Sequence, residues 1–368
     1  MARRRKRKSI DNVVGDLIKK VLMLVAAFLL LLSYLSIMVN PAKAWFMTAI
    51  GLLYVPIAIV NVLFLLGALK NMSKSFLIPL IALLPSLILI GRFFQFHSGA
   101  EDPDGTMVKM ISYNVGLFHQ SRKAELKGEE GEAACMDSVV RFLQRSDADI
   151  ICLQEINIDV EKDVAKELKE KFPEYNSSYY VFVNDDRSYG NVTLSKFPIK
   201  GKGKIEFDQS SNLAIYSDIE INDETIRVYN CHLQSYNISP AGLIKDFGRD
   251  SSLVKNTEEK MKRSIKIRPE QVEKVMTDIE ECPTESIVAG DLNDSPMSYT
   301  YFRLNKGRQD VFVEAGKGFG ATYSLLWPML RIDYVLIPDH YGAVSYSVPK
   351  IKFSDHYPVV TRFNVKGE

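Results

Sequence analysis

Six apolar runs in this 368-residue chain end in, or enclose, side chains suited to holding a cation, a phosphate or a proton. Residues 111–114 close on the amide of Asn114, and 150–155 close on the acid Glu155. Residues 228–232 end in His232, and 287–294 end in the acid–amide–acid group Asp291, Asn293 and Asp294. Asp333 sits inside the apolar run 331–335, and Asp355 stands beside His356 in 353–358. Singly, each has an ordinary structural explanation: a strand-end turn for Asn114, a solvated strand end for Glu155, a core histidine for His232, an Asx turn for 291–294 and a surface loop for 355–356. Together they describe one wall. Carboxylates suit a hard divalent cation, amides can hold phosphate oxygens, and an Asp/His couple can move a proton.

To face one another these groups need a scaffold that brings strand ends to one side. Runs with strand character cover 108–114, 149–155, 179–184, 191–195, 213–221, 225–232, 286–291, 331–337 and 359–364, several alternating with a period of two. Helical patterns lie between them at 132–145, 160–172 and 242–282, the last interrupted at Pro269. This order predicts a mixed α/β body over 107–368, with two packed sheets and helices outside them. A short polar linker, 98–106, precedes it. The four cysteines, Cys135, Cys152, Cys231 and Cys282, form no CxxC pair, which argues against a zinc knot. Cys152 and Cys231 read as core thiols, and a disulfide stays open because sequence cannot choose partners.

Charge divides the chain. Residues 1–97 hold 12 Lys/Arg and two acids, whereas 98–368 hold 34 Lys/Arg and 43 Asp/Glu. The acidic body argues against a broad basic face for nucleic acid. In the head, 21–39, 44–69 and 75–91 carry no charge over 19, 26 and 17 residues. A bilayer core needs about 20 helical residues. The first two stretches meet that length. The third reaches it if Arg92 snorkels and Phe93, Phe94 and Phe96 extend it into the interface. A soluble bundle would need polar helix faces that these runs lack, and a signal peptide would end at a small-residue cleavage site. The expectation is three transmembrane helices over 21–97, behind a basic segment over 1–20. Ten basic residues, at the start and at Lys70 and Lys74, fall on one side, against Lys43 and Arg92 on the other. That bias puts the N-terminus of this multi-pass inner- or plasma-membrane protein in the cytoplasm and the body outside it. A patch for anionic lipid or nucleic acid is the alternative use of the basic start.

The polar segments resemble those of the endonuclease/exonuclease/phosphatase superfamily, which includes pancreatic-type deoxyribonucleases, apurinic-site endonucleases, inositol-polyphosphate phosphatases and neutral sphingomyelinases. The matching pieces are 112–114 (SYN), 153–155 (LQE), 190–195 (GNVTLS), 232–233 (HL), 290–293 (GDLN), 331–334 (RIDY) and 354–358 (SDHYP), in the family's order. Residues 268–271 (RPEQ) and 318–323 (GFGATY) resemble a membrane-linked branch of it. The resemblance implies a four-layer α/β sandwich with two packed mixed β-sheets. It implies that Glu155 binds Mg²⁺, or Mn²⁺ in its place, with Asn114 beside it and Asp355 completing the metal environment. By the same resemblance, Asp291 positions or deprotonates the attacking water and Asn293 holds a non-bridging phosphate oxygen. Asp333 fixes the tautomer of His356, which acts as base or charge stabiliser, while His232 contacts the phosphate from the opposite side.

The reaction so implied is metal-assisted hydrolysis of a phosphodiester or phosphomonoester at the bilayer, in a lipid headgroup, a sugar phosphate or a nucleic acid. A nuclease acting on extracytoplasmic DNA or RNA is one alternative, with Lys196, Lys200, Lys202 and Lys204 as its candidate backbone contacts; these also read as a solvated loop. A non-catalytic, membrane-tethered binding protein is the other. It is disfavoured because no expected catalytic position is substituted.

Overall fold

A computed structural model describes residues 10–97, 105–118, 129–158, 163–184, 187–208, 210, 212–236, 251–326, 328 and 330–365. The basic residues 3–8, most of the linker and the first residues of the helices expected over 160–172 and 242–282 lie outside this set. In chain order the strands are β1 (Phe94–Phe96), β2 (Thr106–Asn114), β3 (Ile150–Ile158), β4 (Asn176–Asn184), β5 (Arg187–Ser195), β6 (Ile199–Glu206), β7 (Leu213–Ile221), β8 (Glu224–His232), β9 (Glu285–Asp291), β10 (Arg308–Asp310), β11 (Lys317–Phe319), β12 (Asp333–Pro338), β13 (Gly342–Ser347) and β14 (Val359–Val365). The helices are α1 (Ile10–Leu35), α2 (Trp45–Leu52), α3 (Tyr54–Lys70), α4 (Leu77–Leu83), α5 (Ser86–Leu89), α6 (Glu129–Ser146), α7 (Val164–Lys171), α8 (Ser251–Glu281), α9 (Tyr299–Leu304) and α10 (Val311–Ala315).

Two six-stranded sheets make the body, in the orders β10-β12-β9-β8-β7-β6 and β13-β14-β2-β3-β5-β4. Both are mixed, because β2 runs parallel to β3 and β8 parallel to β9 among otherwise antiparallel pairs. The period-two pattern explains the layering. In β2, Val108 and Met110 face the other sheet and pack with Val228, Ile287 and Val335, while Ile111 and Tyr113 turn outward to Val139 and Leu143 of α6. On the far side Val272, Val275 and Met276 of α8 cover Tyr229, Val288 and Tyr334. Helix, sheet, sheet and helix are the four layers expected.

Three buried amides stitch the sheets together near the strand ends. Gln154 donates to Asn230 Oδ1 at 2.7 Å, Asn230 donates to the Leu153 and Val192 carbonyls, and Asn191 donates to the Asn230 carbonyl at 3.0 Å. Their paired N–H groups offset part of the desolvation cost, while the Gln154 and Asn191 side-chain oxygens are buried without a donor.

The structure departs from the sequence reading in several places. Strands β1, β6, β10, β11 and β13 are additional. β6 (IKGKGKIE) lies at a sheet edge with alternate lysines exposed, so its apolar signal is weak. β12 begins at Asp333, two residues later than expected. Helix α8 runs through Pro269 without a break. One face of it, including Ile265, Arg268, Val272 and Val275, is buried against the body, and that docking outweighs the hydrogen bond Pro cannot donate. No disulfide joins any of the four cysteines. Burial pushes the Cys152 thiol up to about 12, as fits a core position.

In the head, 13–35 and 74–92 are long and apolar enough to cross a membrane. The stretch expected as a second span is instead a pair of helices, α2 and α3, bent by 58°. Pro56 has no N–H to offer the Leu52 carbonyl, and its ring crowds that carbonyl, so the chain breaks at Leu53. The head is docked on the body. Ser36 Oγ donates to the Met297 carbonyl at 2.8 Å, Arg331 donates to the Arg92 carbonyl at 3.0 Å, and β1 pairs with β11.

Candidate active site

The strand register sets the site. His232 at the end of β8 pairs with Asp291 at the end of β9, and Asp291 pairs with Asp333 at the start of β12. In the other sheet, β2 ends in Asn114, paired with Gln154 next to Glu155. β3 carries a bulge between Leu153 and Ile156, and Glu155 there adopts φ 52°, which swings its carboxylate away from the ladder. The strand ends of the two sheets thus bring the four ends together.

Asn114 is the clasp between the sheets. Its Nδ2 donates to Glu155 Oε1 and to Asp291 Oδ2, both at 3.0 Å, and its Oδ1 accepts from the Gly116 N–H. Asn293 sits at φ 52° and spends its amide on the Leu233 carbonyl at 2.9 Å and on Asp291 Oδ2 at 3.1 Å; its own N–H reaches Asp291 Oδ1. His232 Nε2 lies 3.3 Å from Glu155 Oε1, yet forms no well-directed hydrogen bond although it is buried. His356 holds Asp333 through Nδ1 at 2.9 Å and turns Nε2 toward Asp291 Oδ2 at 3.7 Å. Tyr323 packs edge-on against the His356 ring, with centroids 5.3 Å apart. Asp355 lines the same cavity as Glu155, Asp291, Asn293 and His356. All eight residues to which the resemblance gives a role therefore meet around one place.

The electrostatics differ from group to group. Burial alone would raise the Glu155 carboxyl, but the neighbouring His232 imidazole, with Asn114 and His356, holds it down at about 2. Burial pushes the Asp291 carboxyl up to about 6; the His356 charge opposes that rise and Asp333 adds to it. Burial would lower His356, but the Asp333 and Asp291 carboxylates carry it up to about 10. The site thus holds one firmly ionised acid, one acid that can trade a proton near neutral pH, and a cationic imidazole. Asp291, Asp333 and His356 each offer one ligand atom within 4.8 Å of the others, a grouping that could hold a metal ion.

Residues outside the short list support the site. Thr322 Oγ1 accepts from the Ile332 and Asp333 N–H groups and so fixes the start of β12. Arg268 is buried and bonds Asp294 at 2.9 Å, the Tyr236 hydroxyl and the Gln234 carbonyl. The RPEQ and GFGATY segments are the sequence signals for these two supports; nothing in the sequence marks Tyr236. Three lysines of the run have acidic partners, and Lys202 Nζ lies 5.9 Å from the Tyr179 ring centroid. Lys196 pairs with Asp147, Lys200 with Glu220 at 3.0 Å, and Lys204 with Glu206.

Residues 111–356 match the family model described as the Endonuclease/Exonuclease/phosphatase family, and 17–93 match one described as a domain of unknown function. No curated protein matches the chain at a significant level. The fold is similar to that of an endonuclease/exonuclease/phosphatase from Beutenbergia cavernae, at 16% identity and a TM-score of 0.52 over 71% of this chain and 72% of that one. It is similar to the human Nocturnin catalytic domain, at 15% identity and a TM-score of 0.51 over 73% and 97%. Truncated Caenorhabditis elegans TDP2 gives 18% identity and a TM-score of 0.50 over 72% and 100%. With the family match running from β2 to the His356 segment, the chain belongs to the endonuclease/exonuclease/phosphatase family, a family of hydrolytic phosphoesterases.

Proposed function

We propose that this chain is a membrane-anchored, Mg²⁺-dependent phosphoesterase whose catalytic body lies outside the cytoplasm. The observation that carries the reading is the clasp of Asn114 between Glu155 and Asp291, opposite the Asp333–His356 pair. Glu155 and Asp355, with the Asn114 amide oxygen beside them, offer the hard oxygen donors a Mg²⁺ ion prefers. Bound there, the ion would supply charge neutralisation and polarisation of a phosphoryl oxygen. The apolar lengths of the head support anchoring, and the ten-to-two split of basic residues supports the orientation.

The chain's own groups do the rest. Asp291 takes the proton of the attacking water, a task its raised carboxyl suits. His232 Nε2, buried without a well-directed partner, donates to a phosphate oxygen. His356 Nε2 places positive charge where the transition state gathers negative charge, and Asp333 keeps its ring in register. Asn293 reaches a non-bridging oxygen by exchanging its Asp291 hydrogen bond for one to the substrate. The pairing of Lys196, Lys200 and Lys204 with acids favours small phosphoesters over nucleic acid.

The test is metal dependence. Hydrolysis of bis(p-nitrophenyl) phosphate by the detergent-solubilised full chain is expected to stop with chelator and return with Mg²⁺. Glu155→Gln is expected to raise the half-saturating Mg²⁺ concentration by at least the ~10-fold typical of ligand-shell changes. An unchanged Mg²⁺ requirement in that variant would remove Glu155 from the metal site.

A further inference from the structure

One wall of the catalytic cavity is not made by the body at all. The cavity, about 400 Å³, is lined on one side by Glu155, Asp291 and His356 and on the other by Leu52, Leu53 and Val55, from the break between α2 and α3. A volume of this size suits a small-molecule ligand, and the head supplies its apolar side.

The position of that break fixes the depth of the site. Helix α3 alone has 17 residues, about 25 Å of helix, close to the thickness of a bilayer core. At the 58° bend α2 turns away from the α3 axis and lies against α8, with Lys262 Nζ 5.5 Å from the Trp45 ring. Aromatic and basic side chains of this kind favour the membrane surface. The cavity mouth at 51–56 therefore sits where a span begins, at the level of lipid headgroups.

The exposed apolar side chains of the body point the same way. Among the described residues of 105–365, the exposed large hydrophobic side chains are Phe302, Phe319, Leu325 and Leu326. Three of them border the head. Phe319 packs on Phe94, Phe302 adjoins Arg92, and Leu326 shares the cavity wall with Leu53, one residue from Leu325. Of the four, Leu326 reaches the cavity wall itself, and exposed apolar surface there marks a side from which an apolar ligand or surface approaches.

We propose that the substrate is a phosphate ester of a membrane lipid, which enters the cavity from the bilayer surface at the break between α2 and α3. The inference rests on the phosphoesterase reading and narrows its substrate. The phosphate lies against Glu155, Asp291 and His356, and the first carbons of the acyl-bearing part lie along Leu53, Val55 and Leu326. In the reaction the water oxygen bonds to phosphorus and one P–O ester bond breaks. The proton lost by the water ends on the leaving oxygen, so one water is consumed and an alcohol and a phosphate are released.

The experiment uses the full chain in maltoside micelles with Mg²⁺. Three matched pairs are compared: dioleoyl phosphatidylglycerol with glycerophosphoglycerol, dioleoyl phosphatidylethanolamine with glycerophosphoethanolamine, and dioleoyl phosphatidic acid with glycerol 3-phosphate. Bis(p-nitrophenyl) phosphate and single-stranded DNA complete the panel. For at least one pair the acylated member is expected to show kcat/KM about 100-fold or more above its deacylated partner, the scale for burying a few methylene groups. Leu53→Asp is expected to collapse that ratio. Hydrolysis of the nitrophenyl ester with no preference for any acylated lipid, or faster cleavage of DNA than of every lipid, would overturn the lipid assignment and leave the phosphoesterase reading standing. Inactivity on the entire panel would overturn both.

Discussion

The Arg268 guanidinium meets the Asp294 carboxylate at 2.9 Å with both side chains buried, so a charge on the long helix α8 is fixed to the loop that carries Asp291 and Asn293. Removing one partner of such a pair strands the other in a low dielectric. Arg268→Met should therefore cost about 3–5 kcal/mol of stability, read as a lowered denaturation midpoint of the full chain in detergent. A midpoint equal to that of wild type would show that the pair holds nothing in place.

Asp333 is fully buried and acts through the ring it holds. Asp333→Asn keeps its shape but no longer favours the proton on His356 Nδ1. We expect kcat to fall about 10²–10⁴-fold, with KM and the circular dichroism spectrum little changed. A loss confined to KM would instead make Asp333 part of substrate binding.

How far the sequence spoke for itself can be seen residue by residue. Asn114, Glu155, His232 and Asp291 were legible because strand-end polar residues stand out against apolar runs, whereas the parallel β8–β9 register that sets His232 beside Asp291 appears only in the structure. The Glu155 bulge was not legible, since a positive φ at an acid leaves no compositional mark. Nor was the active-site role of the head. The stretch 44–69 reads as one uninterrupted span, and only Gly51 and Pro56 hint that it bends at the cavity. Arg268 was visible within RPEQ, but its partner Asp294 lies far along the chain and is found only through packing.

Glu273 offers a pH test away from the site. Arg303 and then Tyr299 bond its carboxylate and hold it below its ordinary value of 4.5. A group whose pKa is lower in the folded state stabilises the fold above the unfolded value and loses that contribution as pH falls through the folded value. The stability gap between wild type and Glu273→Gln should therefore be widest near neutral pH and close as the pH drops below about 4.5. Chemical denaturation at pH 7, 5 and 4 reads it; a gap that widens on acidification would contradict the assignment.

Gly51 lies where three elements converge. A Cβ there would stand 2.3 Å from Ser36 Oγ and 2.5 Å from the Met297 carbonyl, and the latter belongs to backbone that cannot easily retreat. Gly51→Val should cost about 1–3 kcal/mol through overpacking and speed hydrogen exchange in 295–298. Exchange at the wild-type rate would mean that the head does not press on this loop.

The central claim is that Asp291 and His356 perform metal-dependent phosphoester hydrolysis. The most direct measurement is turnover of bis(p-nitrophenyl) phosphate by full-length wild type, Asp291→Ala and His356→Ala, each with Mg²⁺ and with chelator, alongside their circular dichroism. The account predicts Mg²⁺-dependent wild-type turnover that falls at least about 10²–10³-fold in either variant, with the fold retained. Wild-type turnover in a folded Asp291→Ala or His356→Ala protein, or hydrolysis indifferent to chelator, would contradict it.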